Sequence, residues 1–285
     1  MLATFVIGLR EGLEASLIVG IIAAFLGKHG RRDALRQVWF GVGAAVAICV
    51  GIAIALQVLA ADLPQKQQEG LETVVGVLAV AMVTSMIVWM RRHARELKGQ
   101  LEGAAAAALA NGSASALVVM AFLAVLREGF ETAVFVLAVL NQPGSNTASA
   151  GTGVILGLVV AVVIGWGIYR GGVKLNLAKF FKATGVVLVL VAAGLIMTAL
   201  HTAHETGWIN FGQQHTFDLA WLVRPGTPLA ALLTGVLGLQ PKPVLIEVVG
   251  WLLYAVPVTI LVLTPVKRRA MSASPTKAEP ARLAG

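Results

Sequence analysis

Seven separate stretches of this chain stay apolar for about twenty residues, the length of helix that crosses a hydrocarbon layer of about 30 Å. They run from Ala3 to Leu26, Gln37 to Ala60, Leu71 to Met90, Ser113 to Leu140, Gly151 to Tyr169, Phe180 to Ala203 and Val244 to Thr264. Lipid offers backbone N–H and C=O groups no water, so each stretch must satisfy them internally as a helix. With 58% hydrophobic and only 13% charged residues, the chain falls far below the roughly 25% charged of soluble domains. The expected fold class is all-α: a polytopic membrane protein with seven transmembrane helices. The first stretch already contains Arg10, Glu11 and Glu14 and has no basic leader. It reads as a retained helix rather than a secretory signal.

A net charge of +8 would suit a nucleic-acid partner, but the positions of the charges argue against one. Seventeen of the 22 basic residues lie in alternate connections: Lys28, Arg31, Arg32 and Arg36; Arg91, Arg92, Arg95 and Lys98; Arg170, Lys174, Lys179 and Lys182; and Lys267, Arg268, Arg269, Lys277 and Arg282. The opposite connections hold Lys66, Arg224 and Lys242, and the last two, Arg10 and Arg127, sit inside apolar stretches. The positive-inside rule then sets the N-terminus outside and the C-terminus in the cytoplasm. The expected partner is membrane lipid, not nucleic acid. The single Cys49 lies within the second helix and excludes both a disulfide framework and a thiolate cage.

An internal repeat organises the rest. A shift of 117 residues superposes Phe5, Leu9, Arg10, Glu11, Gly12, Glu14 and Val19 on Phe122, Leu126, Arg127, Glu128, Gly129, Glu131 and Val136. Three helices separate equivalent positions, so the copies cross the membrane in opposite directions. Such an inverted repeat is common in transporters with a midplane site. The expected organisation is one transmembrane domain over 1–271, with repeat one at about 1–98, repeat two at about 112–207 and an extra helix at about 244–264. A disordered cytoplasmic tail over 272–285, rich in Ala, Ser and Pro, follows. The alanine run within Leu101 to Ala110 reads as a short cytoplasmic helix or flexible link.

Counting at 1.5 Å per residue, Glu11 and Glu14 lie roughly 12 to 17 Å below the outer end of their helix, and Glu128 and Glu131 roughly 13 to 18 Å. Both pairs reach the bilayer centre, where each lipid-facing charge costs roughly 2.5 to 3.5 kcal/mol. The six groups must therefore face protein or water. At about 100° per residue, Arg10, Glu14 and Glu11 share one helix face, as do Arg127, Glu131 and Glu128. Gly8, Gly12 and Gly129 leave room for close backbone approach. Simple i,i+4 neutralisation of Arg10 by Glu14 and of Arg127 by Glu131 leaves Glu11 and Glu128 without partners. Ionised, the set carries a charge of minus two that a cation completes. Carboxylate oxygens suit Mg, Ca, Mn or iron rather than copper(I), and this chemistry does not choose among them.

The sequences REGLE at 10–14 and REGFE at 127–131 resemble the signature of the high-affinity iron permease family, the oxidase-dependent iron transporters. The segment His204-Glu205-Thr206-Gly207-Trp208 looks like that family's Glu-x-Gly-Trp segment. The resemblance spans nearly the whole chain. It implies a permease of the bacterial inner membrane, not an enzyme, importing iron as its transported substrate with no bound organic cofactor. It also implies Glu11, Glu14, Glu128 and Glu131 as metal ligands and Arg10 and Arg127 as supporting charge. A separate extracytoplasmic iron-binding or iron-oxidising protein is the implied partner. Two alternatives stay open: a permease for another divalent cation such as Mn or Pb, and an intramembrane enzyme resembling lipid-pyrophosphate phosphatases. A scaffold or sensor that binds metal without moving it is a third.

On the predicted outer side, Glu72, His201, His204, Glu205 and Glu247 are candidates for a pore mouth, together with His215 and Asp218. Histidine is a common metal ligand, whereas Glu247 more often would snorkel to the interface. Met82, Met86 and Met90 form a stripe that suits helix packing better than copper conduction. The apolar piece Leu229 to Leu237 is too short to span and is expected to lie in the interface or to dip in as a partial lid.

Overall fold

The computed structural model describes residues 1–61, 63–93, 114–142, 145–170, 176–223 and 227–264, with 99, 103 and 107. The alanine-rich link, the tail, Arg95, Lys98, Lys174 and Arg224 fall outside them. Among the described residues the ordered elements are all helical: α1 (Leu2–Lys28), α2 (Arg32–Ala61), α3 (Gln65–His93), α4 (Ala114–Leu140), α5 (Thr147–Tyr169), α6 (Leu177–Glu205), the ten-residue α7 (Pro228–Leu237) and α8 (Leu245–Leu263). Five of them, α2, α3, α5, α6 and α8, are long and apolar enough to cross a membrane. Helices α1 and α4, at 27 residues each, match them in length and differ in carrying the charged motifs.

Hydropathy locates the apolar middle of each helix and misses its polar ends. α2 begins at Arg32 rather than Gln37 and α3 at Gln65 rather than Leu71. A helix bonds its own backbone whatever its side chains, so it runs on through charged turns where an apolar count has stopped. Asn146 caps α5, accepting from the backbone N–H of Ala148 at 2.9 Å, and Asn176 caps α6 through Lys179 at 3.1 Å.

Contacts along the chain set the helix directions. Cβ atoms built on Gly8 and Gly12 of α1 would meet Val154 O at 2.7 Å and Ala161 Cβ at 2.9 Å on α5, so α1 and α5 run parallel. Gly41 of α2 faces Val118 and Phe122 of α4, and Cys49 faces Gly129, so α2 and α4 are also parallel. The lower part of α1 (Val19, Ile22, Leu26) packs with the start of α4 (Leu117, Ala121, Val125), and its upper part (Ala3, Ile7) with the end of α4 (Phe135, Ala138, Val139). Those two helices are antiparallel. The close backbone approach expected at these glycines is therefore made by α1 against α5 and by α4 against α2.

Exchanging the first three helices for the next three maps the packing onto itself. The pair α1–α5 becomes α4–α2, α1–α6 becomes α4–α3, and α1–α4 and α3–α6 map to themselves. The long helix outside this scheme, α8, lies antiparallel on α6: Gly250 sits by Leu200, and Val262 by Gly185. The α1 helix lies at the centre with α6, while α2, α5 and α8 turn apolar side chains such as Ile54, Val163 and Leu253 outward. The short α7 reaches inward until Gly238 touches Gly194, eleven residues before the end of α6 or about 16 Å down its axis. It dips into the fold rather than lying flat. Met86 and Met90 are buried in the core and Met82 packs against it, the packing role expected of that stripe.

Candidate metal centre

The α1–α4 crossing brings the two motifs together. Glu11, Glu128 and Glu131 each present a carboxylate oxygen within 4.8 Å of the others. All three are buried, with exposures of 1%, 5% and 8%. Both oxygens of Glu11 and Oε2 of Glu128 have no hydrogen-bond partner. A buried carboxylate without a donor loses several kcal/mol of hydration with nothing in return. A divalent ion could supply that return: oxygens bound at about 2.1 Å stand about 3 to 4 Å apart, a small side-chain adjustment from the spacing here.

Glu14 stands apart from this triad. Its Oε1 lies 3.4 Å from Arg10 Nε, and the Arg10 guanidinium is wholly buried with its carbon 5.9 Å from the ring centre of Phe181. In the second copy, Arg127 Nε lies 2.9 Å from Glu131 Oε1 and 4.0 Å from Glu128 Oε1. Of the four glutamates expected as ligands, three converge and Glu14 does not join them, while Glu14 and Glu131 are each tied to their own arginine. The arginines divide as well. Matching motifs predict equal settings for both, yet the Arg127 side chain is 59% exposed. The α6 helix covers Arg10 through Phe181, whereas the matching side of α4, with Val119, Leu123 and Phe130, is open. No sequence signal singles out Phe181, since its approach to Arg10 depends on tertiary packing alone.

At the far end of α6, His201 Nδ1 lies 2.9 Å from Glu247 Oε1 of α8, and His201 Nε2 lies 3.5 Å from Glu205 Oε1. Glu247 is buried at 1% exposure and its Oε2 accepts from the Val244 backbone N–H at 3.2 Å, so it caps its own helix instead of snorkelling. Other candidates for the mouth are occupied locally. His204 bonds the Ile209 carbonyl at 2.8 Å, Glu72 accepts from Gln68 at 3.2 Å, and Asp218 lies 3.7 Å from Lys242. His215 forms an isolated bridge with Val244. Gly207, at φ +83°, ends α6 by turning its N–H to the His204 carbonyl at 2.8 Å, a conformation open mainly to glycine. Trp208 then swings back beside Gly70 of α3, which gives the Glu-x-Gly-Trp segment a structural task.

Residues 1–271 match the model of the iron permease FTR1 family. The chain belongs to that family. Membership in the FTR1 family makes it a permease and not an enzyme, which sets aside the phosphatase reading, with iron as the substrate the family transports. It is a multi-pass protein of the bacterial inner membrane, embedded in lipid. Its FTR1 relatives include the ferrous iron permease EfeU of Yersinia pestis, 42% identical over 275 residues that cover 96% of this chain and 97% of that one. The ferrous iron permease EfeU of Escherichia coli O6:K15:H31 is 40% identical over 267 residues, 93% of this chain and 96% of its own. No solved structure matches this FTR1-family chain.

Proposed function

We propose that this permease imports ferrous iron through a midplane site made by Glu11, Glu128 and Glu131, with Glu14 held next to it by Arg10. The observation that carries the reading is the convergence of three buried carboxylates from two antiparallel helices, with oxygens that lack donors. Such oxygens favour a hard or borderline divalent cation. The relatives' printed substrate, ferrous iron, selects among the candidates.

In this reading all seven long helices span the bilayer as two inverted halves of three, with α8 as the addition. The N-terminus lies outside and the C-terminus inside. The exchange symmetry of the helix pairs and the placement of basic residues support that arrangement. The expense of charge at the bilayer centre is then met by burial of the triad between α1 and α4.

The test is uptake of ferrous iron into proteoliposomes under reducing conditions. Neither Glu11 nor Glu128 accepts a hydrogen bond from its motif's arginine, and Glu128 is only 4.0 Å from Arg127, so Glu11→Gln and Glu128→Gln are each expected to insert and remain monodisperse. Uptake should fall at least as far as the roughly 10- to 100-fold typical of lost outer-layer metal partners. Normal uptake by both variants would sink the proposal.

A further inference from the structure

The midplane triad does not use the histidine at the other end of α6. Glu247 can only accept from His201 Nδ1, because an ionised carboxylate has no proton to give. Its second oxygen is held by the Val244 N–H, so the carboxylate is pinned at both ends while buried at 1% exposure. When a cation takes the place of the Nε2 proton, Nδ1–H stays on Glu247 and the freed Nε2 lone pair points outward, toward Glu205 Oε1 at 3.5 Å. Two acceptors then face each other. The gap exceeds the roughly 2.7 to 2.9 Å of a charge-assisted hydrogen bond. It equals the separation of two ligands bound at about 2.0 to 2.1 Å to one tetrahedral ion, about 3.4 Å.

A carboxylate on the far nitrogen is the usual way a metal-binding histidine is oriented and made more basic. His201 and Glu205 occupy successive turns of one helix face and their side chains are 40% and 44% exposed, so water and ions reach them. Glu69 and Glu72 of α3 lie within electrostatic range of the pair and give the surroundings a negative field. His201 stands twenty residues beyond Phe181, the ring that touches Arg10, or about 30 Å along the helix. The location is separate from the midplane triad.

We propose that His201 Nε2 and Glu205 form a second metal site that takes one divalent cation, with Glu247 as its positioning residue. One nitrogen and one oxygen leave at least two positions for water, so the ion exchanges readily, as suits capture rather than storage. The donor pair accepts ferrous iron, manganese, cobalt or zinc without strong preference. That the site lies on the side from which iron arrives rests on the transport reading; the binding itself does not.

Manganese(II) titrated into the purified full-length chain in nanodiscs tests it, followed by pulsed electron paramagnetic resonance. A directly bonded imidazole gives a nitrogen coupling that the all-oxygen triad cannot give. The coupling is expected in the wild type, retained in Glu11→Gln/Glu128→Gln, and lost in His201→Gln. Glu247→Gln should keep the coupling but weaken manganese binding about 10- to 100-fold, a pattern that a merely structural loss would not produce. Glu205→Gln alters an exposed position and keeps the question answerable if His201→Gln fails to fold; it should weaken binding about tenfold or more. No nitrogen coupling in the wild type, coupling that survives His201→Gln, or unchanged affinity in Glu205→Gln overturns the outer site. None of these results bears on ferrous iron uptake by the triad variants, so the two proposals fail separately.

Discussion

Arg10 and Arg127 occupy the same place in the same five-residue motif, but the fold treats them differently. Arg10 is closed in by Phe181 and its own Glu14, while Arg127 shows more than half of its side chain. Removing one partner of a buried ion pair strands the other, at about 3 to 5 kcal/mol, and the cost is largest where both partners are closed in, as Arg10 and Glu14 are. Arg10→Gln is therefore expected to lower the thermal midpoint in detergent well below that of Arg127→Gln. Adding Glu14→Gln to Arg10→Gln should recover most of the loss, because no unpaired charge is left. Equal midpoints for the two single variants would contradict the difference in burial. Uptake makes a second comparison: Glu14→Gln, outside the triad, should retain more activity than Glu11→Gln. Sequence alone ranked the four glutamates together, since spacing places them on two faces and says nothing of which oxygens an arginine will hold.

Among the helices, the closest approaches are made at glycine. A Cβ on Gly129 would come within 2.6 Å of Cys49 Sγ, so Gly129→Ala should destabilise the α2–α4 pair by about 1 to 3 kcal/mol. Cys49→Ala in the same chain should give part of that back, and a double-mutant cycle in thermal unfolding would measure the coupling. Additive effects would show that the two residues do not touch in the folded protein. This pairing marks where sequence reading stopped. Hydropathy found each long helix among the described residues, because a bilayer demands a run of about twenty apolar residues whatever the fold around it. The repeat offset gave opposite directions for α1 and α4. Gly8, Gly12 and Gly129 announced that some backbone would come near, but a glycine carries no information about whose. His201 and Glu247 both read as candidates for the outer mouth, but they stand 46 residues apart and no periodicity joins them as a bonded pair.

For the molecule as a whole, the placement of basic residues predicts that a reporter fused after Lys98 is cytoplasmic and one inserted near Ser145 is external. Both on one side would break the arrangement of two opposed halves. The crossed packing has a further consequence for how the chain is made. The parallel partner of α1 is α5, which begins 119 residues after α1 ends (147 − 28). Ribosomes add about 5 to 20 residues each second, so α1 waits on the order of ten seconds for that partner. Its charges wait for other helices, Glu11 for α4 with the rest of the triad and Arg10 for α6 with Phe181, and until then must be sheltered by the insertion machinery or by one another. Neither half can complete its own interior, so separately synthesised halves would assemble only if both were present in the same membrane at the same time.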